Sequence, residues 1–212
     1  MNYVKSFAAF LGPQKKIALG TDTRTTRNIL KNLIISILES YGYEILDLGV
    51  VPTPLVLYAV KEKGLDGGVV VSASHNPACW NALKLIKKGG LFLNQGEVDT
   101  LQDLYNKKQF LSYSYQTTGK TLIYEGLFKE YLAKAEKLVD FHAIRQAGFR
   151  VAADAVNGTA NSFVHPLLYF LNVEHQILFT DTEKEFERGA EPLPENLSAL
   201  REAVIQFKAH VG

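Results

Sequence analysis

The sequence predicts an α/β protein in which a parallel or mixed sheet is flanked by helices. Short, continuous apolar runs alternate along the chain with longer segments whose apolar residues recur every three or four positions. Continuous apolar runs are typical of strands buried on both faces, and the three- or four-residue period is that of a one-sided helix. Strand–helix–strand order favours parallel pairing through right-handed crossovers. The length of 212 residues fits one large domain or two modest ones.

The first half of the chain contains three predicted strands separated by two predicted helices. The strands occupy residues 17–20, 43–48 and 67–71, and the helices run from Ile29 to Leu38 and from Pro54 to Val60. Proline suits the first turn of a helix, because the amide that it lacks has no helical partner there. This order predicts the centre of a doubly covered sheet.

The last third of the chain repeats this alternation and predicts a second domain. Helices are predicted at 97–105 and 124–138, and they are followed by a strand at 149–153, a helix at 163–171, a strand at 173–179 and a helix at 196–204. We place the domain boundary near Asp140, which gives domains at 1–139 and 140–212. A unit of about 70 residues with two strands buries little core, and no strand follows its last helix. We therefore expect one complete domain and the beginning of a second, similar one.

Charge and composition exclude several classes of protein. Lys and Arg number 23 against 22 Asp and Glu, a net charge of +1, so no basic excess remains for a nucleic-acid partner. No uncharged apolar run reaches the roughly 18 residues that a membrane span needs, and the opening SFAAFLG predicts the end of an amphipathic helix. Cys79 is the one cysteine, which excludes an internal disulfide and a zinc-type cysteine spacing. We expect a cytoplasmic protein without a membrane partner; no oligomeric state is indicated.

The most unusual stretch is GGVVVSASHNPACWNALKLI, at residues 67–86. A buried strand ends here in a polar loop, and ligands of open α/β sheets bind beyond the carboxyl ends of the strands. A serine hydroxyl on such a loop can take or give a phosphoryl group, while His75 and Asn76 can orient it and Lys84 can supply positive charge or act as a base. Ser, Asn and Pro are also common in loops without any chemistry, and that interpretation stays open on these residues alone.

Other polar motifs leave similar alternatives. Arg24 follows the first strand within GTDTR, where it either contacts a ligand or braces the loop through Asp22. Asn157 and Gly158 lie at a predicted strand-to-helix turn, where free amides could bind an anion, but we favour a tight turn with positive φ, which explains these residues without a ligand. The alternating Tyr113 and Tyr115 predict a short strand with cross-strand aromatic packing.

Five segments together carry a resemblance to a known family. SASHNP followed by WNALK is similar to the active-site segment of the α-D-phosphohexomutases, which include phosphoglucomutase, phosphomannomutase and phosphoglucosamine mutase. GTDTR at 20–24, DLGVVPTP at 47–54, DAVNGTA at 154–160 and RGAEPLPENL at 188–197 match in the family's order. The matches extend over nearly the whole chain, whereas an alternative nicotinamide-binding domain lacks its G-x-G-x-x-G turn.

The resemblance implies a role for each matched residue. Ser74 corresponds to the serine that is phosphorylated, that exchanges its phosphoryl group with a hexose phosphate through a hexose 1,6-bisphosphate, and whose phosphate is a ligand of Mg²⁺. His75 and Asn76 correspond to neighbours that shape the loop, and Lys84 to a lysine that assists proton transfer. Asn76 and Arg24 are assigned to the substrate and phosphate loop. Such a site moves a phosphoryl group by alignment and charge neutralisation.

The departures from the family pattern limit what is expected of this chain. Ser72 replaces threonine and Ala82 replaces glycine, while the CWNALK wording favours phosphoglucosamine mutases. The family's opening glycine-rich segment and its metal loop, D-G-D-x-D-R, are not found in the sequence. We therefore expect an N-terminal piece of a phosphohexomutase, inactive by itself. The alternative is a non-catalytic domain that binds a sugar phosphate or associates with a partner chain.

Overall fold

The computed structural model describes residues 1–212, which divide into two compact units. The first unit consists of residues 1–22, 26–72 and 81–127, and the second of residues 23–25, 73–80 and 128–212. Two short loops of the first half of the chain, 23–25 and 73–80, thus belong to the second unit. Each of these loops follows shortly after a strand of the first unit.

A six-stranded mixed sheet forms the centre of the first unit. Its strands are β1 (Lys16–Thr21), β2 (Glu44–Val50), β3 (Gly67–Val71), β4 (Leu83–Lys87), β5 (Leu91–Phe92) and β6 (Lys120–Ile123), in the order β5-β4-β3-β1-β2-β6. The strands β3, β1, β2 and β6 run parallel, whereas β4 and β5 pair antiparallel at one edge. The predicted α/β class with a parallel or mixed sheet is confirmed.

Helices cover both faces of this sheet. They are α1 (Asn2–Leu11), α2 (Arg27–Ser40), α3 (Thr53–Glu62) and α4 (Gln95–Asn106). Successive strand residues point to opposite faces, so Leu19 lies in the core under α1, α2 and α4, whereas Ala18 lies in the core under α3. A Cβ added at Gly20 would lie 2.6 Å from a methyl carbon of Val56, so glycine there permits α3 to pack closely on β1.

The second unit is built around two parallel strands. Its elements are α5 (Leu127–Ala135, of which Leu127 belongs to the first unit), α6 (Phe141–Gln146), β7 (Arg150–Asp154), α7 (Val164–Phe170), β8 (Glu174–Leu178) and α8 (Ser198–Gln206). Buried Phe141, Leu168, Leu171 and Val173 form its apolar core. Val211 forms a single parallel bridge to Val151 of β7. No helix of either unit is both long enough and apolar enough to cross a membrane.

Several local predictions differ from the structure. The predicted strand at Tyr113 and Tyr115 is wrong: Tyr115–Thr117 is a 3-10 turn, and the Ser114 side chain accepts a hydrogen bond from the Gln116 amide. The helix predicted at 124–138 is shorter, at Leu127–Ala135. Strands β4, β5 and β6 are additional to the prediction. These strands lie at or next to the edges of the sheet and are only partly buried, so they lack the continuous apolar run of a central strand.

Candidate functional site

The candidate site begins where β3 ends. The Ser72 amide donates to the Ala82 carbonyl at 2.9 Å and closes the β3–β4 hairpin, so residues 73–80 form the loop of this hairpin. Ala73 is buried, whereas Ser74 is exposed. Ser74 has φ +57°, a left-handed conformation that is uncommon for residues other than glycine. Strained backbone of this kind occurs often at functional sites.

Asn76 closes a turn around Ser74 and His75. Both its backbone amide and its side-chain amide donate to the Ala73 carbonyl, at 3.2 and 2.8 Å. A second turn follows, in which the Trp80 amide donates to the Pro77 carbonyl at 3.0 Å. Asn76 therefore stabilises the loop from within, as a neighbour that shapes the loop, and His75 is exposed at its tip.

The guanidinium group of Arg24 lies among the carbonyl groups of this loop. One terminal nitrogen donates to the carbonyls of Ser74 and Asn76, at 2.9 and 2.7 Å, and the other to those of Pro77 and Trp80, at 2.6 and 2.8 Å. Arg24 is only 3% exposed. The structure thus brings Arg24 together with Ser74, His75 and Asn76, and the geometry shows it holding backbone.

Lys84 belongs to the first unit. It lies on β4 opposite Val70 of β3, and its ammonium group donates to the Thr53 hydroxyl at 3.2 Å. Thr53 is the first residue of α3, and Pro54 follows it in the first turn, as the sequence predicted. Since the lysine stem is flexible, the Thr53 hydroxyl fixes where the ammonium group lies.

Two residues that contact predicted site residues, one in each unit, were not singled out in the sequence. Thr53 contacts Lys84, and the ring of Phe186 lies over the guanidinium of Arg24, with 5.2 Å from the guanidinium carbon to the ring centroid. Phe186 is 162 positions from Arg24 in the numbering. No local pattern signals this contact, because it depends only on how the chain returns to the loop.

The side chains present do not make up a magnesium site by themselves. No group of three or more His, Cys, Asp or Glu side chains lies where it could hold a metal ion. Magnesium requires near-octahedral oxygen ligation, which a single phosphoserine does not provide. The expected coordination of Mg²⁺ through a phosphate on Ser74 therefore stays a prediction.

The fold is that of known sugar phosphate mutases. A solved structure described as a putative phosphomannomutase from Thermus thermophilus superimposes with a TM-score of 0.83 over 96% of this chain and 46% of its own. The two sequences are 21% identical, so this likeness concerns the fold. The α/β architecture of this chain is thus shared with that structure.

Sequence comparison identifies the family. Residues 1–112 match the phosphoglucomutase/phosphomannomutase alpha/beta/alpha domain I, and residues 129–212 match alpha/beta/alpha domain II. The chain belongs to the phosphoglucomutase/phosphomannomutase family, as the resemblance of its motifs implied, and corresponds to the family's N-terminal portion.

Curated relatives show the same correspondence and differ in their named sugars. A probable phosphoglucosamine mutase of Methanobrevibacter smithii is 31% identical over all of this chain and 47% of its own length. A phosphoglucosamine/phosphogalactosamine mutase of Sulfurisphaera tokodaii is 29% identical over 98% of the chain and 46% of its own. The chain spans about half the length of these relatives.

Proposed function

We propose that this chain is the phosphoserine-bearing part of a phosphohexomutase and that Ser74 carries the phosphoryl group. The enzyme, of the isomerase class, would interconvert hexose 1-phosphate and hexose 6-phosphate. The observation that carries the proposal is an exposed serine in a left-handed conformation on a loop whose carbonyl groups are fixed by a buried arginine. Domain assignments at 1–139 and 140–212 stay a prediction within this proposal.

Ser74 would act as acceptor and donor in turn. Its hydroxyl oxygen attacks one phosphorus of hexose 1,6-bisphosphate, the bond from that phosphorus to the sugar oxygen breaks, and the hydroxyl proton passes to the sugar oxygen. In the opposite direction a sugar hydroxyl attacks the phosphorus of phosphoserine, and the Ser74 oxygen leaves and regains a proton. A fixed loop backbone favours both directions, because in-line transfer depends on alignment.

Lys84 would stabilise the negative charge that develops during this transfer and would assist the proton transfer. An ammonium group stabilises negative charge on transferring oxygens and can exchange a proton with a sugar hydroxyl. The contact of its ammonium group with the Thr53 hydroxyl supports a defined position for that charge. His75 and Asn76 are proposed to shape the loop, in keeping with the turn that Asn76 closes.

Glucosamine phosphate is the proposed substrate. The name of the Methanobrevibacter relative refers to glucosamine and that of the Sulfurisphaera relative to glucosamine and galactosamine, whereas a third relative, from Thermococcus kodakarensis, is named phosphoglucomutase/phosphomannomutase. The CWNALK segment favours the first of these groups. Initial rates on glucosamine, glucose and mannose phosphates would rank the three sugars.

The test uses the full-length product of the gene that encodes this chain. We expect incubation with glucosamine 1,6-bisphosphate and Mg²⁺ to add one phosphoryl group, which peptide mass spectrometry locates on Ser74. A phosphoryl group on a different residue would show that the carrier is wrongly assigned, and no phosphorylation would contradict the mutase mechanism. The 212-residue chain alone should show no turnover in a coupled mutase assay, and ordinary turnover would overturn the expectation that it is inactive by itself.

We propose a non-catalytic role as the alternative. In this case the 212 residues bind a hexose phosphate, or associate with a separate chain that supplies the metal loop. Affinity purification from the native cell distinguishes hexose phosphate binding from association with a partner chain. Only the association requires a chain with D-G-D-x-D-R to co-purify. Reading the coding sequence beyond Gly212 for that motif is the complementary observation.

A further inference from the structure

Arg24 holds an unusual number of backbone acceptors for one side chain. Four carbonyl groups between Ser74 and Trp80 converge on its two terminal nitrogens, at 2.6 to 2.9 Å. Hydrogen bonds from a charged donor are stronger than those between neutral groups, so this guanidinium contributes strongly to the stability of the loop's conformation. One of the four carbonyls is that of Ser74 itself, at 2.9 Å.

Phe186 covers the other side of this arrangement. Its ring lies over the Arg24 guanidinium, 5.2 Å from guanidinium carbon to ring centroid, which is the geometry of a cation–π contact. Arg24 and Phe186 also line one small cleft together with Ala78 of the loop. The ring limits the access of water to the guanidinium and so strengthens its bonds to the carbonyl groups.

The segment that carries Phe186 is itself fixed on both sides. Before it, the Asn157 side chain accepts from the Asp181 amide at 3.0 Å and donates to the Glu185 carbonyl at 2.9 Å. After it, Arg188 forms an ion pair with Asp154 at 2.7 Å, and the Asp154 side chain is 2% exposed.

These anchors account for two motifs that carried no function in the sequence. Asn157 is 1% exposed and has φ +53°, a conformation that asparagine tolerates. Asp154 and Asn157 come from DAVNGTA, and Arg188 comes from RGAEPLPENL. Both motifs thus contribute to holding Phe186 in place.

We propose that Arg24 and Phe186 are positioning residues for Ser74, and we name the pair the loop clamp. The inference rests on the proposed function, since it gives the clamp a role in phosphoryl transfer. Arg24 sets the backbone that presents the Ser74 hydroxyl, and Phe186 keeps Arg24 desolvated and in place. A displacement of about 1 Å at the reacting oxygen can lower a rate about 100-fold, so a loosened loop slows transfer.

This role differs from direct binding of substrate phosphate by Arg24. A residue that binds the substrate raises KM when it is replaced, whereas one that aligns the attacking serine lowers kcat with KM unchanged. The carbonyl contacts and the 3% exposure of Arg24 favour the second behaviour. This split separates alignment from substrate binding. Because a smaller folded fraction also lowers the apparent kcat at unchanged KM, unchanged hydrogen exchange at the strand amides of β1–β3 and β7–β8 is the readout that separates a loosened loop from a general loss of stability.

The experiment compares Arg24→Lys and Phe186→Ala with a matched control, Arg145→Lys. Arg145 also lies over an aromatic ring of the second unit, that of Phe170 at 4.4 Å, and also donates to a carbonyl. Lysine keeps the charge of Arg24 but lacks the planar fork that reaches four acceptors. Hydrogen exchange is measured on the 212-residue chain. Phosphorylation of Ser74 by glucosamine 1,6-bisphosphate is measured on the full-length product of the gene that encodes this chain.

We expect both clamp variants to exchange faster at amides 73–80 while the β1–β3 amides are unchanged. We expect kcat and the phosphorylation rate of Ser74 to fall about 10- to 100-fold with KM unchanged, and the control variant to match the unaltered protein. Phosphorylation at the normal rate in both clamp variants would overturn the inference. A raised KM would overturn it in favour of substrate binding by Arg24.

Two further outcomes separate the clamp from the proposed function. If the unaltered protein is never phosphorylated on Ser74, the proposed function fails whatever the exchange rates show. If it is phosphorylated but exchange at 73–80 is the same in all variants, the clamp alone fails. Should Arg24→Lys not fold, Phe186→Leu keeps the apolar volume, removes the aromatic face and tests the same prediction.

Discussion

In the six-stranded sheet the strands are covered by apolar side chains packed on both faces, whereas the Ser74 loop is held by hydrogen bonds, from the buried Arg24 and from Asn76 within the loop. The apolar cores tolerate exchanges between side chains of similar volume, because their contacts are not directional. The loop depends on a few directed bonds that no other residue replaces. The stability of the sheet and the geometry of the Ser74 loop thus rest on different kinds of interaction, and substitutions should separate them.

The largest effect is expected from Ser74→Ala. Alanine removes the hydroxyl oxygen that would form the bond to phosphorus, so phosphorylation by the bisphosphate should be abolished while the fold is kept. Mass spectrometry of the treated protein and its circular dichroism spectrum measure both. Ser162→Ala is the matched control, because Ser162 is an exposed serine of the same unit whose hydroxyl bonds locally to the Thr159 carbonyl. A phosphoryl group that still arrives at the same rate would mean that Ser74 is not the carrier.

The second prediction compares the apolar core of the first unit with the smaller apolar core of the second unit. Ile34 is fully buried beneath the large sheet, and Ile34→Ala should lower the free energy of unfolding by about 2–5 kcal/mol. Leu168 is 8% exposed in the small core of the second unit, and Leu168→Ala should cost less. Hydrogen exchange at amides of β1–β3 and of β7–β8 reports each unit separately. Equal losses of protection would contradict the difference between the cores.

Lys84→Met tests the positive charge of Lys84 without changing any residue of the Ser74 loop. Methionine keeps the apolar stem and removes the ammonium group, so turnover should fall about 100-fold at unchanged stability. Thr53→Val, which removes only the oxygen that the ammonium contacts, should produce a smaller fall. Steady-state kinetics on the protein made from its own coding sequence measure both variants, and unchanged turnover in Lys84→Met would remove this residue from the mechanism.

The smallest effect concerns an ion pair at the edge of the sheet. The hydrogen bond from Lys87 is the main cause that lowers the pKa of Glu97 below 4.5, and the Asn94 amide adds to it. A lowered folded-state pKa stabilises the protein above the unfolded value and loses that contribution as pH falls through the folded value.

Glu97→Gln should therefore remove a small acid-dependent part of the stability, most visible when unfolding by urea is compared at pH 7 and at about pH 3. Asp103→Asn, which breaks the exposed pair with Lys107 on the same helix, is the control. A pH dependence that is the same in Glu97→Gln and in the unaltered protein would contradict the assignment to Glu97.

The central elements of the fold were predictable because their signals are local. The strand predicted at 67–71 is found at Gly67–Val71, since burial on both faces requires a continuous apolar run. The helix that includes Ile29 to Leu38 extends from Arg27 to Ser40. Strand β4 was not predicted, because an antiparallel strand next to the sheet's edge has lysines between its leucines and no strong period.

The serine loop could be singled out by its motif, but its support could not. Ser74, His75 and Asn76 are adjacent in sequence, so a resemblance reveals all three at once. Arg24 lies 50 positions before Ser74, and Phe186 lies 112 positions after Ser74. Neither distance follows from any spacing in the chain.

The sequence by itself determined the α/β class, the central strands and helices, the family and the serine that the family pattern identifies. Apolar periodicity and short motifs express these properties, because each depends on residues within a few positions of one another. Only the tertiary structure decided that Arg24 binds four loop carbonyls, that Phe186 covers it, and that Thr53 contacts Lys84. Hydrogen bonds and ring contacts form between groups that folding brings within a few ångströms, and that proximity is not present in the order of the residues.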